Sequence, residues 1–159
     1  MPEKRSSLRA EIRQNKPFES SAHEAILALF RTSELMERRL AQLVEPRGIS
    51  LQQYNVLRIL RGAGQEGTPT LDIADRMIQK APGITRLLDK LAAKRLVRRE
   101  RCSEDRRQVL CWITDAGLRL LADLEQPLAK AGTRAMDPLT AAEQRRLIVM
   151  LERLRGGFV

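Results

Sequence analysis

Apolar residues recur at helical spacing through most of this chain of 159 residues, and the period changes at one place. Between residues 96 and 113, two short runs of strand-forming residues, Leu96 to Cys102 and Val109 to Ile113, flank the polar stretch Ser103-Glu104-Asp105-Arg106-Arg107. Two such runs around a polar turn predict a β-hairpin. The rest of the chain steps by three and four residues, so the predicted fold is mainly α with a small β-hairpin.

The helices announce their own starts. Ser21-x-x-Glu24, Ser50-x-x-Gln53 and Thr140-x-x-Glu143 are capping-box patterns, in which two orphan backbone N–H groups are satisfied reciprocally. The first opens a long helix carrying Ile26, Leu29, Phe30, Ser33, Met36, Leu40 and Leu43, stopped by Pro46 and Gly48. The second opens a helix with Tyr54, Leu57 and Leu60 that ends near Gly62. Residues 62–69 hold three glycines and Pro69 and read as a loop. A short helix from Thr70 to Ile78 follows, then a turn at Lys80-Ala81. A further helix runs to about Lys94, with Pro82 at its first position, where a missing N–H costs nothing. After the hairpin, Thr114 caps a long helix through Leu118, Leu121, Leu124 and Leu128, with a kink expected at Pro127. The third box opens a last helix with Leu147, Ile148, Leu151 and Leu154.

Short helix, tight turn, second helix and basic hairpin, in that order, make a winged helix-turn-helix. The predicted division is an N-terminal arm at 1–19, a winged helix-turn-helix DNA-binding domain at 46–114, and dimerisation helices at 20–45 and 115–155, whose apolar stripes need burial.

Charge supports the same assignment. The 29 Lys and Arg outnumber the 20 Asp and Glu, for a formal net charge of +9. Residues 80–107 alone contain ten Lys and Arg against four acids, so two-thirds of the surplus sits in this segment. Such clustering is the electrostatic footprint of phosphate binding. At about 100° per residue, Ile84, Leu87, Leu88 and Leu91 share one face of the second helix and can pack on Ile73, Ala74 and Met77. The opposite face shows Pro82, Arg86, Asp89 and Ala93, flanked by Gly83, Thr85 and Lys90; it is slim at its start and basic along its length. A slim end can enter a major groove about 12 Å wide. An arginine at the end of the wing can enter the narrow minor groove. Asp105 can pose Arg107 through a charge-assisted hydrogen bond. The predicted DNA contacts are therefore Lys80, Pro82, Gly83, Thr85, Arg86, Lys90, Asp105, Arg106 and Arg107.

Other classes fare worse. No run of about 18 apolar residues could span a membrane, and no apolar stretch follows the N-terminal Met-Pro-Glu-Lys-Arg, so no secretory signal is read. Two cysteines are too few for a disulfide scaffold, which points to a reducing cytoplasm. One histidine, His23, and no nucleophile–base arrangement argue against an enzyme. Cys102, Cys111 and His23 are too scattered for a metal site, and no cofactor is implied. Aromatic residues are only 3% of the chain, which leaves single-strand stacking platforms unprovided. Two alternatives remain: a redox-responsive regulator using Cys102 and Cys111, which would face each other if the hairpin turn centres on 106–107, and a non-specific basic nucleic-acid-binding protein.

The chain resembles the MarR family (multiple-antibiotic-resistance regulators). The resemblance is carried by Thr70-Leu71-Asp72-Ile73-Ala74-Asp75-Arg76-Met77, by Pro82-Gly83-Ile84-Thr85-Arg86-Leu87-Leu88-Asp89-Lys90-Leu91, by Leu96-Val97-Arg98-Arg99, and by Asp105-Arg106-Arg107-Gln108-Val109-Leu110-Cys111-Trp112-Ile113-Thr114-Asp115-Ala116-Gly117. It implies a homodimer interlocked through helices from both chain ends, reading a palindromic operator in double-stranded DNA as a repressor. It implies a small aromatic or anionic effector that releases the DNA; Phe30, Tyr54 and Arg58 are the expected contacts. Thr85 and Arg86 would read the major groove and Arg107 the minor groove. Two departures stand out. Arg95 occupies the place of the usual glycine after the recognition helix, so a looser or differently shaped cap is expected there. The N-terminal cysteine of the oxidation-sensing members is absent.

Overall fold

The computed structural model describes residues 7–80, 82–105 and 107–158. It divides into two units, Met1–Arg39 and Leu40–Val159. In the first, Ser7 caps the single turn α1 (Leu8–Glu11). The long helix α2 (Ser21–Val44) follows, its last turn belonging to the second unit. The cap of α2 is Ser20, not Ser21: its hydroxyl accepts the His23 N–H at 3.1 Å. The box pattern was thus one residue out of step, because Ser20 and Ser21 are adjacent and either can cap. Arg31 lies 3.1 Å from Glu34 and 3.7 Å from Glu11, and the His23 ring meets the Phe18 ring edge-on at 5.9 Å. Ile26, Leu29, Phe30 and Leu35 are exposed along α2.

The second unit begins with a 3₁₀ turn (Glu45–Arg47) closed by Gly48 and continues into α3 (Leu51–Ala63). Here the capping box is complete: Gln53 N–H donates to the Ser50 hydroxyl at 3.2 Å, and Ser50 N–H donates to the Gln53 amide oxygen at 3.1 Å. Then come β1 (Thr68–Pro69), α4 (Thr70–Arg76), α5 (Ile84–Ala93), β2 (Val97–Arg101), β3 (Val109–Ile113), α6 (Asp115–Met136) and α7 (Ala141–Gly156). The hairpin is therefore part of a three-stranded antiparallel sheet of order β1-β3-β2. The stretch 62–69, expected as loop throughout, contributes β1 at its end, where Thr68 pairs with Cys111 and Pro69 with Leu110. Two residues are too short to show alternation, and proline is tolerated because β1 is an edge strand. The α4 helix ends at Arg76, not Ile78: Met77 turns extended and is buried, and the Ile78 N–H donates to the Asn55 side chain. The long helix α6 continues through Pro127 to Met136. Thr140 and Glu143 form the last box, at the start of α7.

The core gathers one stripe from every layer. Val56, Leu57 and Leu60 of α3, Ile73 of α4, Leu88 and Leu91 of α5, Cys111 of β3, and Leu121 and Leu124 of α6 are each at most 2% exposed.

The end of α5 resolves the Arg95 question. The Leu96 N–H donates to the Leu91 carbonyl at 3.0 Å and the Arg95 N–H to the Ala92 carbonyl at 2.8 Å. These two bonds define a full Schellman cap, completed by the buried pair Leu91 and Leu96. The cap is neither looser nor differently shaped; Arg95 adopts the glycine conformation, with φ 57°. A left-handed residue with a Cβ is strained by about 1 kcal/mol. Arg95→Gly should therefore stabilise the fold by about 1 kcal/mol, and Arg95→Ala should not. Urea unfolding of the three proteins, compared at equal m-value, checks this.

Candidate nucleic-acid interface

The helix α5 presents two different faces. Leu88 and Leu91 are fully buried, Ile84 and Leu87 pack against the same core, and Thr85, Arg86, Asp89 and Lys90 are exposed. Pro82 is not the first helical residue, as the sequence suggested. The N-cap is Gly83, in the left-handed region at φ 93°, a conformation that glycine adopts without Cβ strain. Pro82 instead sits in the turn ahead of the helix. No side chain caps this end of α5. The helix thus starts slim, with Thr85 and Arg86 in its first turn.

The basic cluster is not uniformly available. Lys80 is 3.3 Å from the Asp75 carboxylate. Arg98 pairs with Glu100, and its guanidinium lies 4.3 Å from the centre of the Trp112 ring. Arg99, on β2, pairs with Asp89 on α5. Among the described residues, Arg86, Lys90, Arg101 and Arg107 are exposed and have no ion pair. Of these four, Arg86 and Lys90 lie on the outward face of α5 and Arg101 and Arg107 on the hairpin, while Lys94 and Arg95, at the end of α5, are also exposed and make no ion pair. Arg99 was counted in the sequence only as one more cation of the cluster, and its pairing with Asp89 was not expected. Its signal was period two: Val97 and Arg99 share a face of β2, opposite an acid, Asp89, that has no other reason to sit in a basic cluster.

At the wing, the Asp105 carboxylate accepts the backbone N–H of Arg107 at 3.0 Å and the Gln108 side-chain amide at 3.3 Å. Asp105 thus shapes the turn backbone rather than gripping the Arg107 guanidinium, a correction to the expected contact. An Asx turn of this kind is the commoner use of aspartate at such a position. Arg106 lies outside the described residues.

The two cysteines are not opposed. Arg101 pairs with Val109 and Arg99 with Cys111, so the turn centres on Asp105 rather than on 106–107. Cys111 points into the core, fully buried, with the Thr70 hydroxyl at 3.9 Å from its sulfur. Burial pushes the Cys111 thiol above its ordinary value, and the Thr70 hydroxyl and the Arg99 guanidinium only partly offset this. A cross-strand thiol pair, the basis of the redox alternative, is absent.

Of the expected effector contacts, Tyr54 and Arg58 come together on α3, with the guanidinium carbon 6.0 Å from the ring centre. Phe30 belongs to the first unit, where it is 69% exposed. Among the described residues there is no cluster of metal-ligating side chains, and no helix is long and apolar enough to cross a membrane.

Comparison with known proteins decides the family. The MarR family profile matches residues 47–108. The crystal structure of a MarR transcription factor from Planctomyces limnophilus is 44% identical, covers 86% of this chain and 98% of its own, and superposes with a TM-score of 0.67. The chain belongs to the MarR family. It is accordingly a transcriptional regulator with a winged-helix fold, and not an enzyme. Another relative is the HTH-type transcriptional regulator MhqR of Bacillus subtilis, 28% identical over 111 residues, which are 70% of this chain and 75% of that one. Sco3205, a MarR family regulator from Streptomyces coelicolor solved in complex with DNA, is 22% identical, covers 90% of this chain and 92% of its own, and has a TM-score of 0.77.

The burial of Cys111 makes a prediction for this MarR-family chain. Because the thiolate is the reactive species, a buried thiol with a raised pKa alkylates slowly. Iodoacetamide at pH 8 should modify Cys102 within minutes and Cys111 only after unfolding. Mass spectrometry of the two peptides reads this directly, and equal rates would contradict it.

Proposed function

We propose that this protein is a homodimeric, sequence-specific DNA-binding repressor of the winged helix-turn-helix type, released from a palindromic operator by a small aromatic or anionic effector. The observation that carries the DNA-binding part is the uncapped, slim start of α5, with exposed and unpaired Arg86 and Lys90, beside a wing whose Arg107 is also unpaired. The Streptomyces relative, a protein of the same fold, was solved bound to DNA, which supports the same partner here.

Within this reading, Pro82, Gly83, Thr85 and Arg86 approach base edges in the major groove, and Lys90 meets phosphates, as does Lys80 on exchanging its exposed, weak pair with Asp75 for a phosphate. Arg106 and Arg107 serve the wing in the minor groove, with Asp105 ordering its turn. Residues 46–114 form the DNA-binding domain. The helical segments 20–45 and 115–155 form the dimer interface. Their exposed apolar residues support this: Ile26, Leu29 and Phe30 on α2, and Ile148, Val149, Met150 and Leu154 on α7, are each at least 40% exposed. Leaving that much apolar surface in water is unfavourable by about 25 cal/mol per Å², so a second copy of the chain should cover it. Sedimentation at micromolar concentration should give a dimer, and a monomer would contradict the assignment. The effector is placed at Tyr54 and Arg58, an aromatic ring and a cation one turn apart.

The DNA contacts are separable by experiment. Clustered cations neutralise several phosphates, so operator affinity should fall with salt with a log–log slope of roughly −5 to −9, at about −0.9 per phosphate contact. Arg86→Ala should weaken binding and also relax base preference at one position in each half-site, since a bidentate arginine–guanine pair discriminates by about 1–3 kcal/mol. Arg107→Ala should weaken binding with base preference in the major-groove core intact. Asp105→Ala should copy part of that loss, and the double variant should be no worse than Arg107→Ala. A salt slope near zero, or additive losses at Asp105 and Arg107, would overturn these roles.

A further inference from the structure

One acid stands inside the cationic face of α5. Asp89 is exposed on that helix, between Arg86 and Lys90 in the chain. A carboxylate there repels the phosphates that the surrounding cations attract, so on charge alone it weakens binding to any duplex. Its partner is as much out of place. Arg99 follows Val97 by two residues on β2, so both side chains leave the same face of the strand, the face that turns Val97 into the core. The Arg99 side chain is only 20% exposed, and its register partner in the ladder is the buried Cys111. Removing a guanidinium from water is unfavourable, and an apolar side chain would fill such a position without that penalty. The Asp89 side chain is 59% exposed, and an ion pair with one member so open to water adds little stability. Stability is thus a poor reason for either residue.

Position supplies a better one. The Schellman cap joins α5 to β2 where Leu91 meets Leu96. That join lies at one end of the helix, and apolar packing is non-directional. The guanidinium of Arg99 donates to the Asp89 carboxylate, which adds a second, directional attachment. It lies about one helical turn before the end of α5 and three residues beyond Leu96 on β2. Two attachments fix an angle that one leaves free. Arg86 rides on α5, and β2 leads into the hairpin that carries Arg107. The angle therefore sets the spacing between the groups assigned to the major and the minor groove.

We propose that Asp89 and Arg99 are positioning residues, which lock α5 to the wing so that Arg86 and Arg107 engage both grooves of one duplex together. The inference rests on the DNA-binding reading above. Contacts held in register beforehand need no ordering at the moment of binding. The carboxylate disfavours every duplex alike and is offset only where both contacts fit, which makes Asp89 a determinant of specificity.

The test uses the full-length protein and two duplexes, one selected by it from a randomised pool and one scrambled to the same composition. Asp89→Asn keeps the shape of the side chain and removes its charge. It should weaken binding to the selected duplex about tenfold, a factor worth about 1.4 kcal/mol. Binding to the scrambled duplex should stay equal or strengthen, because a repelling charge is gone and Arg99 is released. That retained binding also shows that the variant is folded. Arg107→Ala reads the coupling: it should weaken binding to the selected duplex less in the Asp89→Asn protein than in the unaltered one, because an unlocked wing contributes less. Unchanged or tighter binding of Asp89→Asn to the selected duplex, an equal loss on both duplexes, or the same Arg107→Ala loss in both backgrounds would each overturn the positioning role. If neither Arg86→Ala nor Arg107→Ala weakens binding by the otherwise unaltered protein, the DNA-binding reading itself fails, and this inference with it.

Discussion

The interface rests on the apolar stripe that pins α5 to the core. Leu88 and Leu91 are fully buried against α3, α4 and the sheet, and burying a leucine contributes about 2 kcal/mol. With Ile84 and Leu87 also turned inward, the rotation of α5 about its axis is set, and Thr85, Arg86 and Lys90 have only the outward face left to occupy. The same burial carries the chain into the Schellman cap, where Leu91 and Leu96 meet and Arg95 accepts a strained backbone. The apolar contact outweighs the strain, which is why a non-glycine residue is tolerated there.

Electrostatics acts on top of that packing. The cluster at residues 80–107 holds ten cations, yet several are committed within the protein. Asp89 ties α5 to β2 through Arg99, Asp75 takes Lys80, and Glu100 takes Arg98. Exposed pairs like these contribute little stability. Their consequence is positional, because each paired cation is oriented by the protein. Arg86 and Lys90 on the outward face of α5, and Arg101 and Arg107 on the hairpin, are left unpaired where a polyanion can reach them.

Much of this was legible locally. The complete capping boxes at Ser50 and Thr140 involve residues three apart, and the α5 stripe needs only helical periodicity, so both could be read without knowing the fold. Errors arose where neighbouring choices were nearly equal. Ser20 caps α2 although Ser21 fitted the box pattern, and Gly83 rather than Pro82 begins α5. The hairpin register was out because a polar turn of five residues accommodates more than one centre, and only pairing with β1 and burial of Cys111 select one. A one-residue slip would turn Cys111 outward. The role of Asp105 changed for a related reason: a short carboxylate finds nearby backbone N–H groups more readily than the end of a long, solvated guanidinium.

The amino-acid order by itself determined the helical character, the place of the hairpin, the inward stripe of α5 and the concentration of positive charge around it. These depend on periodicity, capping and composition, which act over a few residues. The tertiary structure alone decided that residues 68–69 become an edge strand, which cations are paired and which are free, that Cys111 is sealed in the core, and that Trp112, Arg98 and Arg61 surround one cleft. Most of those outcomes bring together residues far apart in the chain, such as Arg61 with Trp112 and Thr68 with Cys111. Contacts at such separation exist only once the apolar core has closed, so no local signal encodes them.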